Sequence, residues 1–326
     1  MMMARRRFLS LAVSVAVLPV ASGPIRAQGY PARPVRIIAP VPPGGSSDIS
    51  VRLIGQWLSD RWGQPFVIEN RPGAATNIGT EAAVRSAPDG YTLLSMTANN
   101  ATNATIYENL RFDITRDIAP VARTVRVPLV LAVHPSLPAR TLPEFIAYAR
   151  ANPGRLNMAS SGNGSPSHVA GELFAMMTGA KFSHVPYRGD ALAITDLLGG
   201  QVQLYFGFLP ASLEHIRAGT LRGLGMTTAS RLDTLPDVPA IAESVAGYEA
   251  TSWHGIGAPA GSPPAVIDIL DREINAALRD PTLKARFAAM GAVVDGCSAA
   301  EFKRFLGEEI EKWAKVIRFA GIKAQG

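Results

Sequence analysis

The sequence has one cysteine, Cys297. No disulfide can form within the chain, and a lone thiol here reads as a small buried or partly exposed side chain. With no second cysteine and no histidine pair at ligand spacing, no zinc site is expected. No later stretch is long and apolar enough for a membrane span, which takes about 20 residues. Basic charge is also thin. The formal net charge of +6 owes four cations to Arg5, Arg6, Arg7 and Arg26, in a segment without an acid. Beyond residue 27, 28 basic residues face 26 acidic ones. Aromatics make up 7% and do not interleave with a dense basic patch, so no nucleic-acid groove is expected.

What is present suits a globular protein of two domains: 326 residues, 47% hydrophobic and 18% charged. Residues 1–27 read as an export signal. Arg5-Arg6-Arg7 precedes Phe8-Leu9 and an apolar core of about a dozen residues, too short to span a bilayer with ease. Ile25-Arg26-Ala27 is a cleavage site, leaving a mature start at Gln28. Arg-Arg-x-Phe-Leu fits a twin-arginine signal, and ordinary Sec export fits as well. A periplasmic address is expected.

The mature chain is organised around Ser160–His168. A strand-like stretch, Leu156–Ala159, enters a turn with Gly162 and Gly164, and a helix opens near Pro166. Free N–H groups and the positive end of the helix dipole gather at such a start. Hydroxyls and the Asn163 amide add neutral donors, so the loop is suited to an anion without a fixed positive charge. A second such loop, Pro40–Asp48, follows the strand Val35–Ala39. Two loops more than a hundred residues apart suggest two lobes facing one cleft.

In chain order, a helix over Asp48–Trp62 spaces Ile49, Leu53, Trp57 and Leu58 to bury one face. Strands follow at Phe66–Glu69 and Tyr91–Ser95, with a helix at Ile78–Ser86 between them. Residues Ile118–Val133 read as two strands broken by Pro128. Then come a helix (Leu142–Ala151), strands at Phe182–Pro186 and Val202–Phe206, a helix over Ala191–Leu198, a helix to Ala218 and a strand at Leu221–Met226. Helices at Ile267–Leu278, Leu283–Met290 and Ala299–Ala320 are expected to cap the first lobe. This alternation implies an α/β fold with mainly parallel sheets flanked by helices, ligand loops lying at the carboxyl ends of strands. The chain crosses near 122–128 and returns near 250–256. The expected domains are 28–125 plus 252–326 as a discontinuous first lobe and 126–251 as the second.

Blander roles exist for the same residues. Ser161, Asn163 and Ser165 also suit a helix cap and turn. Gly162-Asn163-Gly164 lacks the final glycine of a dinucleotide fingerprint, since Ser167 stands there. A secreted serine hydrolase using Ser165 and His168 is an alternative, although the Gly-x-Ser-x-Gly elbow is missing. His168 faces the cleft or packs locally; His184 is structural, and His254 is at the hinge or rim. Asp48 is first a dipole partner of its helix. Trp253 packs at the crossing, and the charges from Glu301 to Lys315 form a solvated face.

Several motifs together carry a resemblance. They are Tyr30-Pro31, Pro34-Val35-Arg36, Pro42–Asp48, Glu69–Ala74, Pro88–Leu93, Ser160–Gly164, His184–Gly189, Leu235–Pro239 and Gly321-Ile322-Lys323. In this order the chain resembles the Bug-type substrate-binding receptors of tripartite tricarboxylate transporters, over essentially all of its mature length. The resemblance implies a type II-like periplasmic-binding-protein fold, a Venus-flytrap of two lobes joined by two crossings. It implies a monomer without catalytic residues, cofactor, metal or nucleic-acid partner. Such a receptor captures a small organic carboxylate and delivers it to membrane permease subunits; a receptor feeding a signalling partner is the other role open to it. Carried over, first-lobe contacts are Pro43, Gly44, Gly45, Ser46, Gly73, Ala74, Ala98 and Asn99. Second-lobe contacts are Ser161, Asn163, Gly164, Ser165 and His168, and Arg188 is a cation placed either for a ligand carboxylate or for a salt bridge. The chain departs from the pattern at Gly207-Phe208, where many relatives carry an acid or amide. An acid there neutralises a ligand ammonium, so a ligand without a positive group is expected, with an apolar portion near Phe208.

Overall fold

The structure, a computed structural model, describes residues 29–324; the expected export signal at 1–27 lies outside the described residues. The first strand, β1 (Val35–Ala39), buries Val35, Ile37, Ile38 and Ala39 completely. A strand covered on both faces reads as a near-continuous apolar run, broken here only by the part-exposed Arg36. It leads into α1 (Ser46–Trp62), which Gly63 ends in a left-handed conformation, its N–H reaching Ser59 O at 2.9 Å. The helix is turned from the expected face: Val51, Ile54 and Leu58 are buried, while Ile49 is 38% exposed. β2 (Phe66–Asn70), α2 (Asn77–Val84), β3 (Thr92–Thr97) and α3 (Ala98–Ile106) follow, and β1 pairs in parallel with both β2 and β3.

A short helix, α4 (Ile114–Asp117), precedes β4 (Ile118–Val133), which is one strand of 16 residues and not two. Pro128 does not break it because the ladder changes partner there. Up to Pro128, β4 pairs antiparallel with β9 (Thr251–Pro259); from Leu129 it pairs with β7 (Leu204–Phe208) and β8 (Arg222–Met226). Proline lacks a donor N–H, and at such a junction little is lost. The second half of the sheet continues through β5 (Leu156–Ser160) and β6 (Phe182–Pro186), parallel to each other, with β7 parallel to β5. Its helices are α5 (Leu142–Ala151), α6 (Pro166–Thr178), α7 (Asp190–Leu198) and α8 (Leu209–Arg217). The sheet order is β2-β1-β3-β9-β4-β7-β5-β6. Three parallel strands therefore lie at each end of the two-lobed fold, with the antiparallel crossing strands between.

The chain returns at Ala250, whose N–H bonds Thr227 O at 2.9 Å, and then runs through β9, buried at all nine positions. Helices α9 (Pro264–Ala277) and α10 (Pro281–Ala289) follow. A strand absent from the sequence reading, β10 (Val293–Cys297), pairs with β4. The last helix, α11 (Ala299–Ala320), opens with a capping box between Ser298 and Glu301. It does not simply cap the first lobe: it packs on α3 and β4 and also on α6 of the second half. Nor is its charged face wholly solvated. Glu309 is 6% exposed and accepts hydrogen bonds from the indoles of Trp253 (3.1 Å) and Trp313 (2.8 Å), with Lys312 at 3.2 Å. Trp253 packs in the core, as expected.

Candidate ligand-binding site

The carboxyl ends of β1, β2 and β3 lie side by side, and each runs into a loop and a helix start. At the first, Pro43, Gly44, Gly45 and Ser46 are all exposed. Gly44 has a φ of +88°, a conformation glycine adopts without penalty. Gly45 is the N-cap of α1, and no side chain caps that helix start. Asp48, 2% exposed, fixes the loop from inside. Its Oδ2 accepts from Gly44 N–H and Arg52 Nε, both at 2.9 Å, and its Oδ1 accepts from Asn70 at 2.7 Å. Burial pushes the Asp48 carboxyl up, but bonds from Arg52, Gly44 and Asn70 outweigh it and hold the carboxyl below its usual range. The side chain shapes the loop, and its lone pairs are engaged within the protein. Ser47 Oγ, one residue earlier, is buried without a partner.

The loop after β2 is strained. Ala74, Ala75 and Thr76 have φ of 45°, 50° and 86°, three successive non-glycine residues in the left-handed region. Residues on α3 hold them there. Asn103 Nδ2 donates to Ala75 O at 2.6 Å and to Asn77 Oδ1 at 2.9 Å; Asn100 Nδ2 reaches Thr80 Oγ1 at 2.9 Å, and Thr80 in turn donates to Thr76 O at 3.0 Å. Asn77 Nδ2 and Thr97 Oγ1 are buried without partners. Buried polar atoms without partners are rare in folded proteins. Here three of them, with Ser47 Oγ, stand at three neighbouring helix starts. Sequence reasoning found Gly73, Ala74, Ala98 and Asn99 at these loops but not the network of Asn77, Thr80, Asn100 and Asn103. The i,i+3 spacing of each pair was the available signal.

The second-lobe loop is built differently. Sequence reasoning expected free N–H groups at both loops. In the structure Ser161 N–H donates to Ser167 Oγ (2.8 Å), Gly162 N–H to Ser160 Oγ (3.2 Å), Gly164 N–H to His168 Nδ1 (3.0 Å) and Ser165 N–H to Gly162 O (3.2 Å). Side chains of Ser160, Ser167 and His168 have taken up three of these donors, and the Gly162 carbonyl the fourth. Ser165 is the N-cap of α6, its Oγ accepting from His168 N–H at 3.4 Å. His168 does not face the cleft: it is 4% exposed and stacks on His184 with ring centroids 3.6 Å apart. Burial, then the neighbouring His168, pushes His184 down to about 4. Ser165 bonds no imidazole nitrogen among the described residues, so the serine–histidine pair of a hydrolase is not assembled.

This loop also touches the first lobe. Thr102 Oγ1 of α3 lies 3.4 Å from Gly164 O, and Asn163 Nδ2 donates to Lys323 O at 2.6 Å. Arg188 is exposed and pairs with no acid among the described residues. Gly207 sits in β7 opposite Val130. A Cβ there would fall 2.5 Å from the Tyr205 ring and 2.7 Å from Ser212 Oγ, so no side chain fits as the strand stands. Tyr205 is fully buried, and its hydroxyl donates to Asp190, the first residue of α7. Burial pushes the Asp190 carboxyl up, while the hydrogen bond from Tyr205 opposes that shift. The sequence reading missed Asp190 and Tyr205; an acid opening a helix gave only a dipole signal.

Among the described residues, no group of three or more His, Cys, Asp or Glu could hold a metal ion, and no helix is long and apolar enough to cross a membrane.

Comparison with known proteins gives this geometry a family. Residues 50–322 match the model of the tripartite tricarboxylate transporter family receptor. BugT of Bordetella pertussis is 40% identical over 305 residues, covering 93% of this chain and 94% of its own. A structure from R. palustris solved with adipate has a TM-score of 0.79 and 38% identity, covering 90% of this chain and 99% of that one. MatC from Rhodopseudomonas palustris, solved with bound malate, has a TM-score of 0.75 and 27% identity, covering 88% and 100%. The chain belongs to the Bug-type receptors of the tripartite tricarboxylate transporter family.

Proposed function

We propose that this receptor captures a small organic carboxylate between its lobes in the periplasm and hands it to the membrane permease subunits of its transporter. One observation carries the reading. The uncapped start of α1 and three unpartnered buried polar atoms, Ser47 Oγ, Asn77 Nδ2 and Thr97 Oγ1, stand at the adjoining carboxyl ends of β1, β2 and β3. Donors at helix starts favour an anion through both hydrogen bonds and the helix dipole. The adipate and malate held by the two R. palustris proteins support the same ligand class.

In this reading Pro43, Gly44, Gly45, Ser46, Gly73, Ala74, Ala98 and Asn99 form the first-lobe wall, and Ser161, Asn163, Gly164 and Ser165 the second. The lobes are 28–125 plus 252–326 and 126–251, moving about the crossings in β4 and at the start of β9. A ligand touching both lobes favours the closed state and shifts the population toward it. The chain performs no chemistry, acts as a monomer, and reaches the periplasm through the segment 1–27.

A thermal-shift screen of residues 28–326 against mono-, di- and tricarboxylates tests this. At about 100 times its dissociation constant a ligand adds about 2.7 kcal/mol of stability, a clear rise in melting temperature. A carboxylate hit that weakens in Ser47→Ala agrees with the reading. A panel without a carboxylate hit, or turnover of a simple ester, contradicts it.

A further inference from the structure

We propose that Asp190, aligned by Tyr205, is the specificity-determining acceptor of the second lobe, and that the ligand carries a hydroxyl, amide or ammonium donor that meets it. The inference rests on the carboxylate reading above and adds a second functional group to the ligand.

The two lobes differ in what they offer. The first has an uncapped helix start and unpartnered polar atoms at three helix starts, suited to the anionic end of a ligand. In the second lobe the N–H groups of Ser161, Gly162, Gly164 and Ser165 are all bonded within the loop, and Gly189 N–H is bonded to Ser161 O at 3.3 Å. A carboxylate arriving there would find those donors occupied. It would also meet the Asp190 carboxyl, and like charges at one site repel. What the second lobe holds is acceptor capacity. Asp190 and Ser161 are both part-exposed at the carboxyl edge of β5 and β6, while Tyr205 beneath them is buried.

The tyrosine gives the acid a fixed position. Its ring covers Gly207, where a Cβ would collide, and its hydroxyl ends on Asp190. The space that Gly207 leaves admits the ring that positions an acid on the neighbouring helix. Ser212 Oγ, fully buried and unpartnered, lies beside the same glycine. A phenol donating one hydrogen bond leaves the carboxylate most of its lone-pair sites for a ligand donor. A donor bonded to a carboxylate is worth more than a neutral pair, so the discrimination should be tenfold or more. The expectation of a ligand without a positive group considered Gly207 alone; with Asp190 in place, that restriction no longer follows.

The test is isothermal titration with matched probes: succinate, malate and aspartate, and adipate with 2-aminoadipate. The wild-type chain should bind a hydroxy or amino member of a matched set at least about tenfold more tightly than the plain acid. Asp190→Asn should remove that preference while the plain acid's affinity changes less than about threefold. Tyr205→Phe keeps the ring over Gly207 but removes the hydroxyl that fixes Asp190, so it should weaken the preference, and plain-acid affinity kept near wild type in both variants shows that they are folded. Equal binding of plain and donor-bearing acids by the wild type, or an unchanged preference in Asp190→Asn, overturns the assignment and leaves the carboxylate reading standing. No binding by any probe overturns the carboxylate reading, and this inference with it.

Discussion

Asp48 binds Gly44, Arg52 and Asn70 at once, so a single carboxylate fixes the first glycine loop to α1 and to the end of β2. Replacing it by alanine frees the loop and leaves those donors without their acceptor. Asp48→Ala should lose about 1–3 kcal/mol of stability in urea unfolding and weaken carboxylate binding in titration. Unchanged affinity would mean that the loop does not line the site. Asn103 acts in the same way on the strained turn at Ala74–Thr76. Asn103→Ala leaves the Ala75 carbonyl and Asn77 short of a donor in a buried place, and about 1–3 kcal/mol should be lost. Unfolding midpoints with unchanged denaturant slope would show it. Glycines and hydroxyls at strand ends were legible in the sequence because their types have few other uses. Asn103 and Asp190 were not: the first serves a turn distant in sequence, and the second has meaning only beside Tyr205.

At the scale of elements, strands with unbroken apolar runs and helices with glycine stops were read close to their true bounds. The failures have physical causes. The segment that forms α3 is rich in Asn and Thr, which compete with the backbone for hydrogen bonds and so read as loop. In the fold those side chains turn to α2 and its strained entry, which stabilises the helix from outside. β4 was read as two strands because proline usually ends a ladder, and only the sheet order shows that its partners change at Pro128. α11 was placed correctly, but its charge pattern concealed Glu309, which the indoles of Trp253 and Trp313 hold between β9 and the helix. Glu309→Leu should leave two buried indole donors unpaired, at about 1–3 kcal/mol for each. Chemical denaturation checks this, and a wild-type midpoint would show that the indoles find other partners.

The whole molecule has two lobes sharing two crossing strands, with α11 packed against both. Its stability should depend on pH through two buried histidines. Burial pushes His254 from 6.5 down to about 4, and burial with His168 does the same to His184. A folded-state value below the unfolded one means that the unfolded chain takes up protons first. Stability is therefore full above about 6.5 and falls as pH drops toward 4, by at most about 1.4 kcal/mol per pH unit for each histidine. Asp117 and Glu243, held near 2, act only at lower pH. Melting curves between pH 7 and 4.5 should show the fall, and His254→Gln should flatten it; a variant curve parallel to the wild type would contradict the account.

The central claim is that the anionic end of the ligand rests on the first lobe's helix starts. The measurement that tests it most directly is a crystal structure of residues 28–326 with the carboxylate that stabilises the protein most. The account predicts carboxylate oxygens within hydrogen-bond distance of the N–H groups at Gly45–Ser47 and partners for Ser47 Oγ, Asn77 Nδ2 and Thr97 Oγ1. A carboxylate held instead by Arg188, or seated on the second-lobe loop away from those helix starts, would contradict it.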